Sequence, residues 1–176
     1  DILTEISATL AFSAIQNNDK VGLLLFSDEV ELFIPPKKGK SHVLRIIREL
    51  IEYQPKSKKT DIAMALRYLS QVMKKKAIVF LLSDFMDDEY DSPLKIASKR
   101  HDITGIRIYD KYEVEMPKIG IVPMEDVETG NVILVNTNNR NIRNSYKANY
   151  LENVDYFETV FSKSGAGTLS TRVDER

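Results

Sequence analysis

Three apolar segments of this sequence end in oxygen-bearing side chains. VGLLLF (21–26) is followed by Ser27-Asp28, AIVFLL (77–82) by Ser83-Asp84, and the segment 103–109 by Asp110. Thr60-Asp61 opens a predicted helix and adds a further hydroxyl beside a carboxylate. Hard oxygen donors on separate loops, some of them hydroxyls, suit an octahedral Mg²⁺ that keeps several of its waters. Each residue also has a structural reading: Asp28 as a turn residue, Thr60 as a helix N-cap, Asp84 as the cap of the next helix. For Asp28 and Asp110 the structural reading is the stronger of the two.

For these side chains to converge, the segments before them must be neighbouring strands. In open α/β sheets ligands bind beyond the carboxyl ends of the strands. The continuous apolar runs 21–26 and 77–82 predict strands covered on both faces. Val30, Leu32 and Ile34 alternate with Glu29, Glu31 and Phe33, which predicts a half-exposed edge strand closed by Pro35-Pro36. Helical spacing of apolar residues predicts helices over 2–16, from an N-cap at Ser41 through Leu50, over 62–73, around 93–99 and over 140–162. A β-hairpin is expected from 119–123 and 131–135 around the turn 125–130, and a last strand over 168–173. Alternating strands and helices give an α/β, Rossmann-like, mostly parallel sheet flanked by helices. The expectation is one truncated domain over 1–176, with 111–137 as a hairpin insertion.

Bulk properties narrow the function. A chain of 176 residues with 43% hydrophobic and 29% charged residues is an ordinary globular domain. Its net charge of −1 argues against a general nucleic-acid binder. With no cysteine, disulfides, thiolate metal sites and cysteine nucleophiles are excluded, and a reducing, cytoplasmic setting fits. No apolar run approaches the ~20 residues of a membrane helix.

The stretches DKVGLLLFSDEVELFIPPKKGK (19–40), KKTDIAMALRYL (58–69), AIVFLLSDFMDD (77–88), KRHDITGIRIYDKYE (99–113) and MEDVETG (124–130) together resemble the bacterial domain-of-unknown-function 58 family. The resemblance runs over most of the chain and implies a von Willebrand factor A-like fold. It further implies a metal-ion-dependent adhesion site built from an Asp-x-Ser-x-Ser loop after the first strand, a Thr, and an Asp after the fourth strand. Thr60 matches the second part and Asp84 the third; the first has no counterpart here. The expectation is therefore that the central strand and its loop lie upstream of Asp1. The incomplete site would then hold Mg²⁺, or another divalent cation, weakly or not at all, and unpaired strand edges would favour self-association.

By the same resemblance the function expected is a non-enzymatic protein-interaction module, paired with a MoxR-type AAA+ ATPase in the assembly or maturation of other proteins. Residues placed to meet such a partner are Ser27, Asp28, Lys58, Lys59, Asp61, Asp110 and the hairpin acids Glu125, Asp126 and Glu128. The enzymatic alternative is a metal-dependent phosphoesterase using Asp84, but Met86 stands where such enzymes place their second Asp. Gly39-Lys40-Ser41 resembles the end of a phosphate loop, yet Pro35 and Pro36 remove amide donors that loop requires. Only two histidines are present: His42 reads as a solvated surface residue, His101 as a structural hydrogen-bond partner of a neighbouring loop.

Overall fold

The computed structural model describes residues 2–125 and 130–173. The chain divides into two compact units, Asp1–Asp61 and Ile62–Arg176.

The first unit contains α1 (Ile2–Gln16), β1 (Val21–Phe26), β2 (Val30–Lys37) and α2 (Lys40–Glu52). β1 and β2 form an antiparallel pair. Helix α2 buries Val43 and Ile46 and half-buries Ile47 and Leu50, one stripe at helical spacing. Two expectations need correction. Ser41 is not the N-cap: Gly39 holds that position without a side-chain cap, and Ser41 sits in the first turn. β2 also runs on through Pro35-Pro36 to Lys37, because the ladder is irregular there, between the pairs Leu23↔Ile34 and Val21↔Lys37. At such a bulge a missing N–H breaks no ladder bond. Gly22 is needed opposite it: a Cβ would lie 2.9 Å from the Ile34 carbonyl oxygen and 3.0 Å from Pro36.

The second unit contains α3 (Ile62–Val72), β3 (Ile78–Ser83), α4 (Asp91–Ser98), β4 (Asp102–Tyr109), α5 (Lys111–Val114), β5 (Ile121–Glu125), β6 (Val132–Asn136), α6 (Arg140–Lys163) and β7 (Gly167–Arg172). β3, β4 and β7 form a parallel sheet in that order, and β5 pairs with β6 as an antiparallel hairpin. The parallel strands joined through helices make this a mixed α/β, Rossmann-like arrangement, as expected.

The core of this unit is aromatic. Phe85, Tyr90, Phe157 and Phe161 are fully buried, with ring centroids 4.2 Å apart for Phe85–Phe157 and 4.7 Å for Phe157–Phe161. Helix α6 lies so close to β4 that a Cβ on Gly105 would come within 2.6 Å of the Phe161 ring. Glycine is the residue that admits that approach.

The two apolar strands expected to be covered on both faces are not. No residue of β1 is fully buried, and in β3 only Leu81 is, while Ile78 remains 71% exposed. Among the described residues each of these strands is paired along one edge only. β4, paired on both edges, buries Ile103, Ile106 and Arg107.

Candidate functional site

In the first unit the end of β1 and the segment before α3 are tied together. Ser27 is buried; its amide donates to the Glu29 carbonyl at 2.9 Å, and its carbonyl accepts from the Asp61 amide at 3.0 Å. This bond brings Thr60 beside the strand end. Thr60, Ser27, Ser57, Lys58 and Lys59 line an open cleft of about 490 Å³. Asp28 accepts from the Ser27 hydroxyl at 3.4 Å. The Ser57 hydroxyl, more than the nearby charge of Lys59, holds the Asp28 carboxyl below its ordinary range, so it is ionised at neutral pH. The cleft thus presents hydroxyls and ammonium groups, with one carboxylate at its rim.

In the second unit β3 ends at Ser83, whose hydroxyl donates to Asp84 Oδ1 at 3.3 Å and accepts from the Phe85 amide at 3.1 Å. Asp84 Oδ1 also accepts from the Met86 amide at 3.1 Å. The Asp84 side chain is therefore an exposed turn carboxylate and not a helix cap; the N-cap of α4 is Tyr90. Phe85 adopts φ 56°, a left-handed conformation rare for a bulky residue. Its buried ring, packed on Phe157 and Phe161, holds that strained turn in place and so fixes where Asp84 sits.

Asp110 caps α5, its Oδ1 accepting from the Tyr112 amide at 2.8 Å, so the structural reading of this residue applies. One turn on is Glu113, which the sequence reading missed. Its Oε2 is buried with no hydrogen-bond partner in the structure. Burial first, then the negative charges of Asp84 and Asp110, push the Glu113 carboxyl above its usual range. Asp84, Asp110 and Glu113 therefore share one electrostatic neighbourhood at the carboxyl ends of β3 and β4. The only sequence signal was an acid three residues after Asp110, in a segment expected to begin an insertion. Asp87 has a structural role that its sequence does not signal: its Oδ2 accepts from the Ile62 amide at 2.8 Å and satisfies the first turn of α3.

The donors fit Mg²⁺ in kind but not in number. They are hard oxygens at strand ends, yet among the described residues no group of three or more Asp, Glu, His or Cys is placed to hold a metal ion. Glu125 is exposed at the end of β5; Asp126 and Glu128 lie outside the described residues.

The histidines are structural. His101 is buried, and its Nδ1 accepts from the Ala77 amide at 3.3 Å, the loop bond expected of it. His42 is half-buried, not simply solvated: its Nε2 donates to the Val21 carbonyl at 2.9 Å.

The parallel sheet of the second unit defines a Rossmann-like α/β fold with carboxylates following β3 and β4. The chain belongs to the family described as protein of unknown function DUF58, which matches residues 1–155. It is 24% identical over 133 residues to the uncharacterized protein Rv1480 of Mycobacterium tuberculosis, covering 74% of this chain and 42% of that protein. It is 28% identical over 145 residues to the uncharacterized protein MAV169 of Mycobacterium avium, covering 80% and 85%. The chain thus spans less than half the length of the first relative. A crystal structure of an aerotolerance-related membrane protein from Bacteroides fragilis, carrying multiple mutations to serines, superposes with a TM-score of 0.50 at 19% identity, covering 98% of this chain and 81% of that one. At that identity the likeness concerns the fold alone. Among the described residues no helix is long and apolar enough to cross a membrane.

Proposed function

We propose that this chain is a von Willebrand A-like, non-enzymatic protein-interaction module of the metal-ion-dependent-adhesion-site type. By family analogy Thr60 in the first unit and Asp84 in the second are the residues expected to ligate a divalent cation, Mg²⁺ by donor chemistry. The bound cation supplies an electrophilic position for a carboxylate of the partner protein. The observation that carries this reading is the cleft around Thr60, where Ser27, Ser57, Lys58 and Lys59 favour an acidic partner. Asp84 supports it from its own unit: an exposed carboxylate oriented by Ser83 and the Met86 amide. The partner class proposed is a MoxR-type AAA+ ATPase, and the process the assembly or maturation of other proteins, both by family analogy.

The test uses the full-length protein, as wild type, Thr60→Ala and Asp84→Ala, in pull-down with a purified MoxR-type ATPase in Mg²⁺ or EDTA. Phosphate release from a generic phosphomonoester is assayed in parallel. Binding should require Mg²⁺ and fall more than about tenfold in either variant, which is ~1.4 kcal/mol. Binding that ignores both EDTA and Asp84→Ala would discard the reading. Phosphate release lost in Asp84→Ala would replace it with a phosphoesterase.

A further inference from the structure

The acids of the β1–β2 turn reach across to the basic loop that lines the cleft of the first unit. Glu31 is the anchor: both of its carboxylate oxygens accept from the Lys56 amide, at 3.3 and 3.1 Å. Glu29 lies 3.7 Å from the Lys56 ammonium, with both side chains more than half exposed. Asp28 accepts from the Ser27 hydroxyl at 3.4 Å, and the Ser57 hydroxyl and the Lys59 ammonium also act on its carboxylate. The Ser57 hydroxyl is itself oriented, accepting from the Lys59 amide at 3.2 Å. An acidic stretch, Asp28-Glu29-Val30-Glu31, is thus laid against a basic one, Lys56-Ser57-Lys58-Lys59, within one unit.

The two ends of the acidic stretch are held differently. Glu31 is half-buried at the start of β2 and fixed to backbone. The Ser27 hydroxyl, ahead of the Lys56 amide, keeps it ionised. Asp28 and Glu29 are exposed side chains of a turn, and exposed charge pairs are weak. An acid arriving from outside would meet Ser57, Lys59 and Thr60 in the cleft, whose lining holds two lysines and no carboxylate among the described residues.

We infer that Asp28 is a built-in competitor, whose carboxylate covers the Ser57–Lys59 side of the cleft in the free protein and leaves it when an acidic segment of a partner docks. This rests on the reading of the cleft as the face that meets an acidic partner, and not on the cation. It adds the form of the ligand: an extended acidic peptide, which the turn imitates. A cleft filled part of the time by its own carboxylate has its apparent affinity lowered by the fraction left open. For an exposed pair that lowering is roughly two- to sixfold. Asp28 therefore weakens binding, although its position is one that faces the partner.

The probe is a fluorescent hexaglutamate peptide, titrated by anisotropy against the full-length protein in EDTA, so that no cation contributes. Asp28→Asn should bind it roughly two- to sixfold more tightly than wild type. Asp19→Asn removes the same charge about 20 Å away, before the amino end of β1, and should bind as wild type does. Lys59→Ala should bind more weakly, and adding Asp28→Asn to it should gain less than in the wild-type background. All three positions are exposed, so the fold should be unaffected. No binding by any of these proteins, an Asp28→Asn variant no tighter than Asp19→Asn, or an equal gain without Lys59 would each overturn the inference. The cation reading fails separately. An ATPase pull-down indifferent to Mg²⁺ would discard that reading and leave Asp28 as the competitor, whereas a Mg²⁺-dependent pull-down with no gain in Asp28→Asn would discard the competitor alone.

Discussion

β4 and β3 lie side by side in one sheet and teach opposite lessons about apolar sequence. IVFLLS is the more apolar strand, yet it leaves Ile78 and Phe80 exposed and fully buries only Leu81. DITGIRIY carries an Asp, a Thr and an Arg, yet it buries Ile103, Ile106 and even Arg107. The difference is position. β4 has a hydrogen-bonded neighbour on each edge and α6 pressed against Gly105, whereas β3 is paired on one side only. β1 repeats the pattern in the first unit: six apolar or glycine residues, one paired edge, none fully buried.

If position and not composition decides, the largest losses must come from β4 and the helix over it. Phe157→Ala should cost ~3–5 kcal/mol in urea unfolding, since the ring is fully buried and stacked on Phe85 and Phe161. Gly105→Val should be comparably damaging, because its side chain would occupy the space of the Phe157 and Phe161 rings. A mild Gly105→Val would break the comparison. Next come Ile106→Ala in β4 and Ile34→Ala in β2, at about 2–5 kcal/mol each, both side chains being buried. For Ile34 the loss should be read by hydrogen exchange of β2 and α2 amides. Ile78→Thr, by contrast, should fall within roughly 0.5 kcal/mol of wild type.

The order of elements was legible in the sequence because period and punctuation are local. The hairpin, the parallel β3–β4 pairing and the 24-residue helix α6 were all readable from apolar spacing and turn residues. Burial was not, because a strand's apolar run does not state how many neighbours it has. The site was half legible for a similar reason. Ser27 and Asp84 announce themselves as polar residues after apolar segments, and Thr60 as a hydroxyl opening a predicted helix. Glu113 and Asp87 matter through what lies across from them: Asp84 and Asp110 for one, the Ile62 amide for the other. Spacing along a chain carries no record of that.

A smaller effect concerns pH. Burial holds the His101 pKa below its ordinary value, so the unfolded chain binds a proton that the folded chain resists. Stability should therefore fall as pH drops below the ordinary histidine value of ~6.5 and continue falling towards the depressed folded value. His101→Asn keeps an acceptor for the Ala77 amide but cannot titrate, so its urea midpoint should change less between pH 7.5 and 5 than that of wild type. Glu113 has the opposite sign. Its raised pKa penalises the folded state above the ordinary carboxylate range, so Glu113→Gln should stabilise at neutral pH and lose that advantage in acid.

Removing the Tyr90 hydroxyl should also have a small effect, and it separates burial from hydrogen bonding within the same aromatic core. The residue is fully buried, but its hydroxyl has no hydrogen-bond partner in the structure. Burial first, with Tyr156 and Asp87 nearby, pushes that hydroxyl well above its ordinary pKa, so it stays neutral. Tyr90→Phe keeps the ring edge-on to Tyr156 at 5.1 Å and removes a polar group whose burial was uncompensated. The substitution should thus be neutral or stabilising by up to about 1 kcal/mol. Tyr90→Ala should instead cost several kcal/mol by leaving a cavity beside Phe85. A Phe variant that loses more than about 1 kcal/mol would mean that the hydroxyl is satisfied after all, by an ordered water or by Asp87, and that this end of α4 is held by polar contact as much as by packing.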